Sequence, residues 1–472
     1  MSRLLLAGTL AMTLLGACSS MAPVYRRPDQ PIAEHWRDGD ADATGGDRAI
    51  ANLAWQELLR DERLRQVVAL AIGNNRDLRM ALLNIEKARA RYRIQGAELF
   101  PSVEAEIAAS AARGPASLNS DGRATVRREY TTSVGFASYE LDLFGRVRSL
   151  KNEAKEAFLA MTYAQRSTRL SLIAEVTGTW LTLAADFRHL ALAQKTLESQ
   201  RETLKLTEYQ RRQGTVSGLD LAHVQTSVAS ARADVAAYTA QLKQDVNALE
   251  LMVGAPVPDS LLPDSMQDAP VVLAALPLDL DSLVLLARPD VMAAEHTLKA
   301  ANANIGAARA AFFPNISLTA AAGRGSDALS SLFGGDNRSW SFAPTLSVPI
   351  FNAGRLRAEF KVSKVERDIA VAGYEKTIQI AFREVADALA VRTTLQERLS
   401  AQQALVAAAA RSYELADARY RSGIDSYLDA LVSLRSLYGA QQDLIALELA
   451  EQNNRVTLYK VLGGDAALSR QR

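Results

Sequence analysis

Apolar residues in the proline-free run from Gly354 to Gly463 recur at alternating spacings of three and four. Ala358, Val362, Val365, Ile369 and Ala372 form one such series, and Leu399, Val406, Ala409, Tyr413, Ala416 and Tyr420 another. That period is the seam of coiled helices. The run is interrupted once, at Arg421-Ser422-Gly423, so it predicts one very long helix and one shorter helix. At 1.5 Å rise per residue the first would span roughly 100 Å, several times the width of a small domain. Such a helix cannot be the core of an ordinary globule.

The same stretch occurs earlier. An offset of 209 places Gly145-Arg146-Val147-Arg148 on Gly354-Arg355-Leu356-Arg357, Glu175-Val176 on Glu384-Val385, Gly214 on Gly423, Leu219-Asp220 on Leu428-Asp429 and Gly254 on Gly463. Upstream the offset is 213, with Asp77 and Phe100-Pro101 matching Asp290 and Phe313-Pro314. Self-similarity at a long period marks an internal duplication.

Within each copy the period changes once from 3.6 to 2. A helix expected over 61–99, with Leu64, Val67, Val68, Ala71, Leu78, Leu82 and Ile85 on its apolar face, stops at Phe100-Pro101, because proline restricts the residue before it. Residues 103–111 and 129–143 then read as two strands around a polar loop. In the second copy Ile316, Leu318 and Ala320 alternate with Ser317 and Thr319, and Trp340, Phe342, Leu346 and Val348 alternate with Ser339, Ser341, Thr345 and Ser347. One hairpin per copy gives four strands. Their length and alternation suit a transmembrane barrel strand, although a soluble sheet carries the same pattern. Four strands cannot close a membrane barrel, and an open edge cannot stand in lipid, so a spanning sheet requires several chains. The helices at 61–99 and 218–252, laid end to end, match the long helix at 146–212. A wall two helices thick around a wide conduit follows.

The expected organisation is a signal peptide at 1–17, a leader at 18–60 and a first repeat at 61–254 with its hairpin at 102–143. A proline-rich linker at 255–280 precedes a second repeat at 281–463, with its hairpin at 315–350, and a tail at 464–472. The leader, with Pro23, Pro28 and Pro31, reads as an extended segment wrapping the body. The linker carries Pro256, Pro258, Pro263, Pro270 and Pro277, a helix-breaking composition placed as a belt with the tail.

Charge changes the picture little. With 54 Lys+Arg against 53 Asp+Glu, interspersed, nothing points to nucleic acid. No run after Cys18 approaches the 18 or so apolar residues of a helical membrane span. Arg3, the apolar run Leu4 to Leu15, and Leu15-Gly16-Ala17-Cys18 form a bacterial lipoprotein signal. Cys18 is the only cysteine, which excludes an intrachain disulfide and leaves its sulfur to carry lipid such as palmitate. His35, His189, His223 and His296 lack partners at metal-ligand spacing, and no phosphate loop, nucleophile elbow or dinucleotide glycine pattern is present. No catalysis, cofactor or metal is expected.

These residues resemble a family. The lipobox followed by Pro23-Val24-Tyr25-Arg26-Arg27-Pro28, Asn75-Arg76-Asp77-Leu78, Glu140-Leu141-Asp142-Leu143-Phe144-Gly145-Arg146, Val348-Pro349-Ile350-Phe351-Asn352-Ala353-Gly354-Arg355 and Arg419-Tyr420-Arg421-Ser422-Gly423 look like the outer-membrane efflux lipoproteins of the OprM/NodT group, relatives of TolC. The resemblance implies a mixed, mostly α fold: a homotrimer with a twelve-strand transmembrane β-barrel in the outer membrane, continuous with a periplasmic α-barrel of coiled helices. It implies a passive exit duct for small molecules such as drugs, as in multidrug resistance. An inner-membrane pump, usually of the resistance-nodulation-division type, and a periplasmic adaptor would complete the assembly. A protein-secretion outlet is the alternative within the channel class. A structural periplasmic coiled-coil scaffold would leave the paired hairpins unexplained, and a cell-wall hydrolase has no residue constellation behind it.

Gly214 and Gly423 break the long helices and let the chain reverse at the periplasmic tip. Ser217 with Asp220, and Ser426 with Asp429, then resemble capping boxes with Asp in place of Glu. Leu428 and Val432 are four apart on one helical face, and copies around an axis would bring them into rings. The resemblance places a periplasmic gate here, with Leu428 at the constriction and Tyr420, Arg421 and Arg435 matching residues that tie helices shut. Relatives often carry Asp where this chain has Val432, which puts an acidic ring at that level in doubt. Asp425 and Asp429 are the alternative carboxylates, paired with Arg421 or Arg435.

Overall fold

The computed structural model describes residues 20–36, 54–118, 122–264 and 282–464. In chain order these form α1 (Trp55–Leu58), α2 (Glu62–Asn74), α3 (Arg76–Ala97), β1 (Glu104–Gly114), β2 (Thr125–Leu141), α4 (Arg146–Arg212) and α5 (Gly218–Val253). The second half gives α6 (Pro289–Ala310), β3 (Asn315–Ser326), β4 (Arg338–Ser347), α7 (Arg355–Arg421) and α8 (Tyr427–Val461). Both long helices have 67 residues, as the duplication requires. No helix among the described residues is long and apolar enough to cross a membrane.

The chain divides into two compact units, each drawn from both halves of the sequence. The first comprises residues up to Asp29, Asn84–Met161 and Ala293–Tyr374. It contains one antiparallel sheet in the order β1-β2-β3-β4. β1 pairs with β2 from Glu104↔Gly135 to Gly114↔Thr125, and β3 with β4 from Asn315↔Ser347 to Arg324↔Arg338. The β2–β3 ladder joins the two hairpins, with a bulge between Phe136 and Tyr139. β1 and β4 each have one edge unpaired among the described residues. Ile107, Val126, Val134, Trp340, Phe342 and Leu346 on these strands are exposed. A soluble sheet would bury such a set.

The leader lies against this unit without helix or strand over the described 20–29. One face of α6, at positions 295, 299, 302, 306 and 309, is given to it. Glu295 accepts from Tyr25 Oη at 3.1 Å and from Arg27 Nη2 at 2.7 Å, with Lys299 Nζ at 3.0 Å. Asn302 Nδ2 donates to the Pro23 carbonyl at 2.8 Å and Arg309 Nη1 to that of Met21 at 3.0 Å. Gly306 is where the leader passes closest: a Cβ there would meet Ala22 N and Ser149 Oγ at 2.6 Å each. Gly306→Ala is therefore expected to cost about 1 kcal/mol through overpacking, read as a lower thermal unfolding midpoint, with faster proteolysis near residue 22.

The second unit comprises Gln30–Leu83, Thr162–Met292 and Glu375–Arg472. Asp61 opens α2 as its N-cap, accepting from Arg63 N at 2.8 Å and Leu64 N at 3.2 Å. The apolar face of α2 (Leu64, Val67, Val68, Ala71) is fully buried, and α2 packs against α5, where Leu249 and Val253 are also fully buried. Trp180, buried on α4, donates its Nε1 to the Leu261 carbonyl at 3.1 Å. Trp36 stacks on Phe382 at 5.2 Å and donates to its carbonyl at 3.0 Å. Most of the linker (265–280), residue 281, the tail beyond Gly464 and Cys18 lie outside the described residues.

One expected helix is two. The stretch 61–99 divides at Asn75, whose backbone is extended at φ −59°, ψ 132°. The reason is local: Asn75 Oδ1 accepts from Leu78 N at 2.8 Å, capping α3, while Nδ2 donates to the Met252 carbonyl at 2.7 Å. In a proline-free apolar period, the capping chemistry of Asn75 overrides the continuation of the helix.

Candidate functional site: the helical turns

Two reversals, α4 into α5 and α7 into α8, lie in the second unit and carry the residues of the expected gate. Each turns on a glycine with positive φ, Gly214 at 74° and Gly423 at 71°. In both, the residue after the glycine reaches back to close the turn: Thr215 N to the Gln210 carbonyl and Ile424 N to that of Arg419, each at 3.0 Å. This is the left-handed helix ending that glycine permits.

The helix starts differ. Ser217 and Asp220 form the expected capping box: Asp220 N donates to Ser217 Oγ at 3.0 Å and Ser217 N to Asp220 Oδ2 at 3.1 Å. Ser426 stands at the equivalent N-cap with nearly the same backbone, φ −71°, ψ 161°, yet its side chain makes no capping bond. The second capping box is absent. Beside it Arg419 makes the contact that the first turn lacks. Its Nη2 donates to Asp425 Oδ1 at 3.0 Å and its Nε to Asp425 Oδ2, and Asp429 adds to the same electrostatic field. Hydrogen bonding to Arg419 holds the Asp425 carboxyl below the usual range.

The ion pairs also fall elsewhere than expected. Within the chain Asp425 pairs with Arg419, and Arg421 Nε lies 2.7 Å from Asp417 one turn before it. Arg435 makes no ion pair with a described residue and lines a cavity of about 80 Å³ with Asp234, Gln200 and Tyr438. Arg419 escapes a sequence reading because it sits six residues from Asp425, a spacing with no meaning on one helix. Gly423 between them gives it one.

Tyr420 is the anchor. Its ring is buried with Tyr427, Val224, Ala430 and Leu431, and its hydroxyl lies 2.7 Å from Thr207 Oγ1 and 3.4 Å from Gln210 Oε1 on α4. Tyr427 meets it edge-on at 5.2 Å and donates to Gln200 Oε1 at 2.7 Å. Burial pushes the Tyr427 phenol up to about 12, so both rings stay neutral. The turn of the second repeat is thus tied to the long helix of the first by two buried phenols. Leu428 and Val432, four apart, remain half-exposed at 50% and 56%, as does Ile424 at 64%. An open apolar face thus stands beside a closed polar network.

Comparison with known proteins agrees with this architecture. The family model described as outer membrane efflux protein matches twice, at residues 67–255 and 280–464. The solvent efflux pump outer membrane protein SrpC of Pseudomonas putida is 45% identical over 97% of this chain and 98% of its own. Outer membrane protein OprJ of Pseudomonas aeruginosa is 42% identical over 96% of this chain and 94% of its own. Among solved structures, a membrane protein from Pseudomonas aeruginosa superposes with a TM-score of 0.88 at 41% identity, covering 94% of this chain and 98% of its own. The open state of the Neisseria gonorrhoeae MtrE outer membrane channel gives 0.84 at 34% identity, covering 94% and 98%. The chain belongs to the outer membrane efflux protein family. Its two matched segments are the two repeats.

Proposed function

We propose that the chain is the exit duct of a tripartite efflux system, a homotrimer that passes small molecules such as drugs or solvents without chemistry of its own. An inner-membrane pump of the resistance-nodulation-division type and a periplasmic adaptor deliver the cargo. The observation that carries the reading is the four-stranded sheet with two open edges and exposed apolar side chains. Closure with two further copies gives twelve strands and leaves no edge in lipid. Lipid on Cys18 adds a second hold on the outer membrane, and mass spectrometry of the mature protein finding that thiol unmodified would remove it.

The resting pore is closed at the turns by rings of Leu428 and Val432, with dewetting rather than an acidic ring as the barrier. Arg421, Arg435, Tyr420, Asp425 and Asp429 hold the helices that carry them. Leu428→Gly, and separately Arg421→Ala with Arg435→Ala, are expected to raise single-channel conductance in planar bilayers severalfold, with trimers intact by native mass measurement. Unchanged conductance in both would move the gate away from these turns. Failure to form any ion-conducting trimer would overturn the duct itself.

A further inference from the structure

The two repeats treat one polar site differently. In the second, Arg288 is buried at 7% exposure and its guanidinium makes four hydrogen bonds: Nη1 donates to the Val461 carbonyl at 2.7 Å, Nε to Asp290 Oδ1 at 3.0 Å, and Nη2 to Asp290 Oδ2 at 2.6 Å and Glu384 Oε2 at 2.8 Å. The offsets of the duplication carry Val461 onto Met252, Asp290 onto Asp77, Glu384 onto Glu175 and Arg288 onto Asn75. The first repeat keeps the carbonyl contact, through Asn75 Nδ2 and Met252 O at 2.7 Å. It also keeps both carboxylates. Only the cation is gone.

Asp77 and Glu175 are exposed, and their side chains form no ion pair or hydrogen bond with a described residue. They line a cavity of about 530 Å³ with Asn75, Ser167, Thr168 and Ser171. Arg76 also lines it, standing where the second repeat has Pro289, and pairs with neither carboxylate. The space is ample for a guanidinium, and the hydroxyls supply acceptors for its remaining donors. The equivalent carboxylates holding Arg288 in the second repeat show what this pair is built to hold.

We propose that the pocket of Asp77 and Glu175 receives the guanidinium of Arg383 from a neighbouring copy of the chain. This rests on the trimer reading above. Arg383 is 72% exposed at its side chain, and its only ion pair among the described residues is a loose one, 3.9 Å from Asp387. Its counterpart in the first repeat is Ala174, buried at 9%. The surface around 174 is therefore covered within the chain, whereas the matching surface around 383 is open. In a closed ring of alternating repeats, the open side of a second repeat meets the first repeat of the next copy, and equivalent residues share one level along the axis. Arg383 precedes Glu384, the counterpart of Glu175, and so stands at the height of the pocket. An arginine lost inside the first repeat is supplied across the seam.

The test is a double-mutant cycle on the detergent-solubilised trimer, with Asp77→Asn plus Glu175→Gln as one arm and Arg383→Ala as the other. Each arm is expected to lower the midpoint of thermal trimer dissociation by roughly 5 °C, and the combined variant to fall no further than either arm. Additive losses, or no loss in either arm with trimers intact, would overturn the pairing. A loss confined to the carboxylate arm would assign the cation to another protein and equally overturn it. Native mass measurement of the wild type distinguishes the two levels of failure: no trimer removes the ring, whereas an intact trimer with unmoved midpoints removes only the pocket.

Discussion

Arg288→Ala is expected to lower stability by about 3 kcal/mol, with the thermal unfolding midpoint as the readout. Arg288 joins three separate segments: the start of α6 through Asp290, α7 through Glu384, and the C-terminal end of α8 through the Val461 carbonyl. Burial works against its charge, but the two carboxylates outweigh that cost and its proton is held more tightly than usual. Truncation leaves Asp290 and Glu384 facing each other and the carbonyl unpaired. Both carboxylates are about a third exposed, at 33% and 38%, and can be rehydrated, which places the loss near 3 rather than 5 kcal/mol. Its stem also packs on Gly463, where an added Cβ would meet Arg288 Cγ at 3.2 Å. Arg288→Lys keeps the charge without the fork and is expected to recover less than half of the loss. A loss below about 1 kcal/mol for Arg288→Ala would mean that the three segments are held by apolar packing alone.

Much of this architecture was legible in the sequence, because helical and strand periods are set by which face is covered. The proline-free run predicted a helix ending at Arg421, and α7 ends there. The change of period at Phe100-Pro101 and Phe313-Pro314 placed both hairpins, and the duplication announced that the two hairpins would correspond. What pattern could not show was the use of polar residues. Asn75 interrupts no apolar period, yet it divides a helix by capping the next turn. Ser426 carries the same local signal as Ser217 and does not cap, and the nearby Asp425 is held by Arg419 across the turn. Arg288 acts through Glu384, 96 residues away, and no local spacing encodes such a pairing. The repeat itself was the available signal: with Asp77 matched to Asp290 and Glu175 to Glu384, the exchange of Arg288 for Asn75 stands out as the one charge of that site not duplicated.

Between pH 5 and pH 8, the stability of the wild type relative to Asp245→Asn is expected to fall by about 1 kcal/mol. Asp186 on α4 and Asp245 on α5 belong to no motif that would single them out in the sequence. In the structure the two carboxylates meet. Asp245 is 9% exposed, its Oδ1 accepts from Gln241 Nε2 at 2.9 Å, and its buried Oδ2 has no donor. Around them lie His189, one turn along α4 from Asp186 and stacked on Tyr238 at 5.2 Å, and Gln442, which donates to the Tyr238 hydroxyl at 2.9 Å. Burial first, then hydrogen bonding and repulsion from Asp245, push the Asp186 carboxyl up to about 7. A carboxyl raised in the folded state favours folding below its unfolded value near 4, and that contribution is lost as pH rises through 7. The protonated Asp186 carboxyl is the donor that Asp245 lacks, and above pH 7 that donor is lost. The amide introduced by Asp245→Asn would keep the bond from Gln241 and give Asp186 a permanent donor, so the variant should match the wild type at pH 5 and exceed it at pH 8. The full shift would be worth about 4 kcal/mol, of which about 2.5 falls between pH 5 and pH 8, halved because Asp186 is only partly shielded from water. A difference in unfolding midpoint that stays constant from pH 5 to pH 8 would show that no proton is shared between α4 and α5.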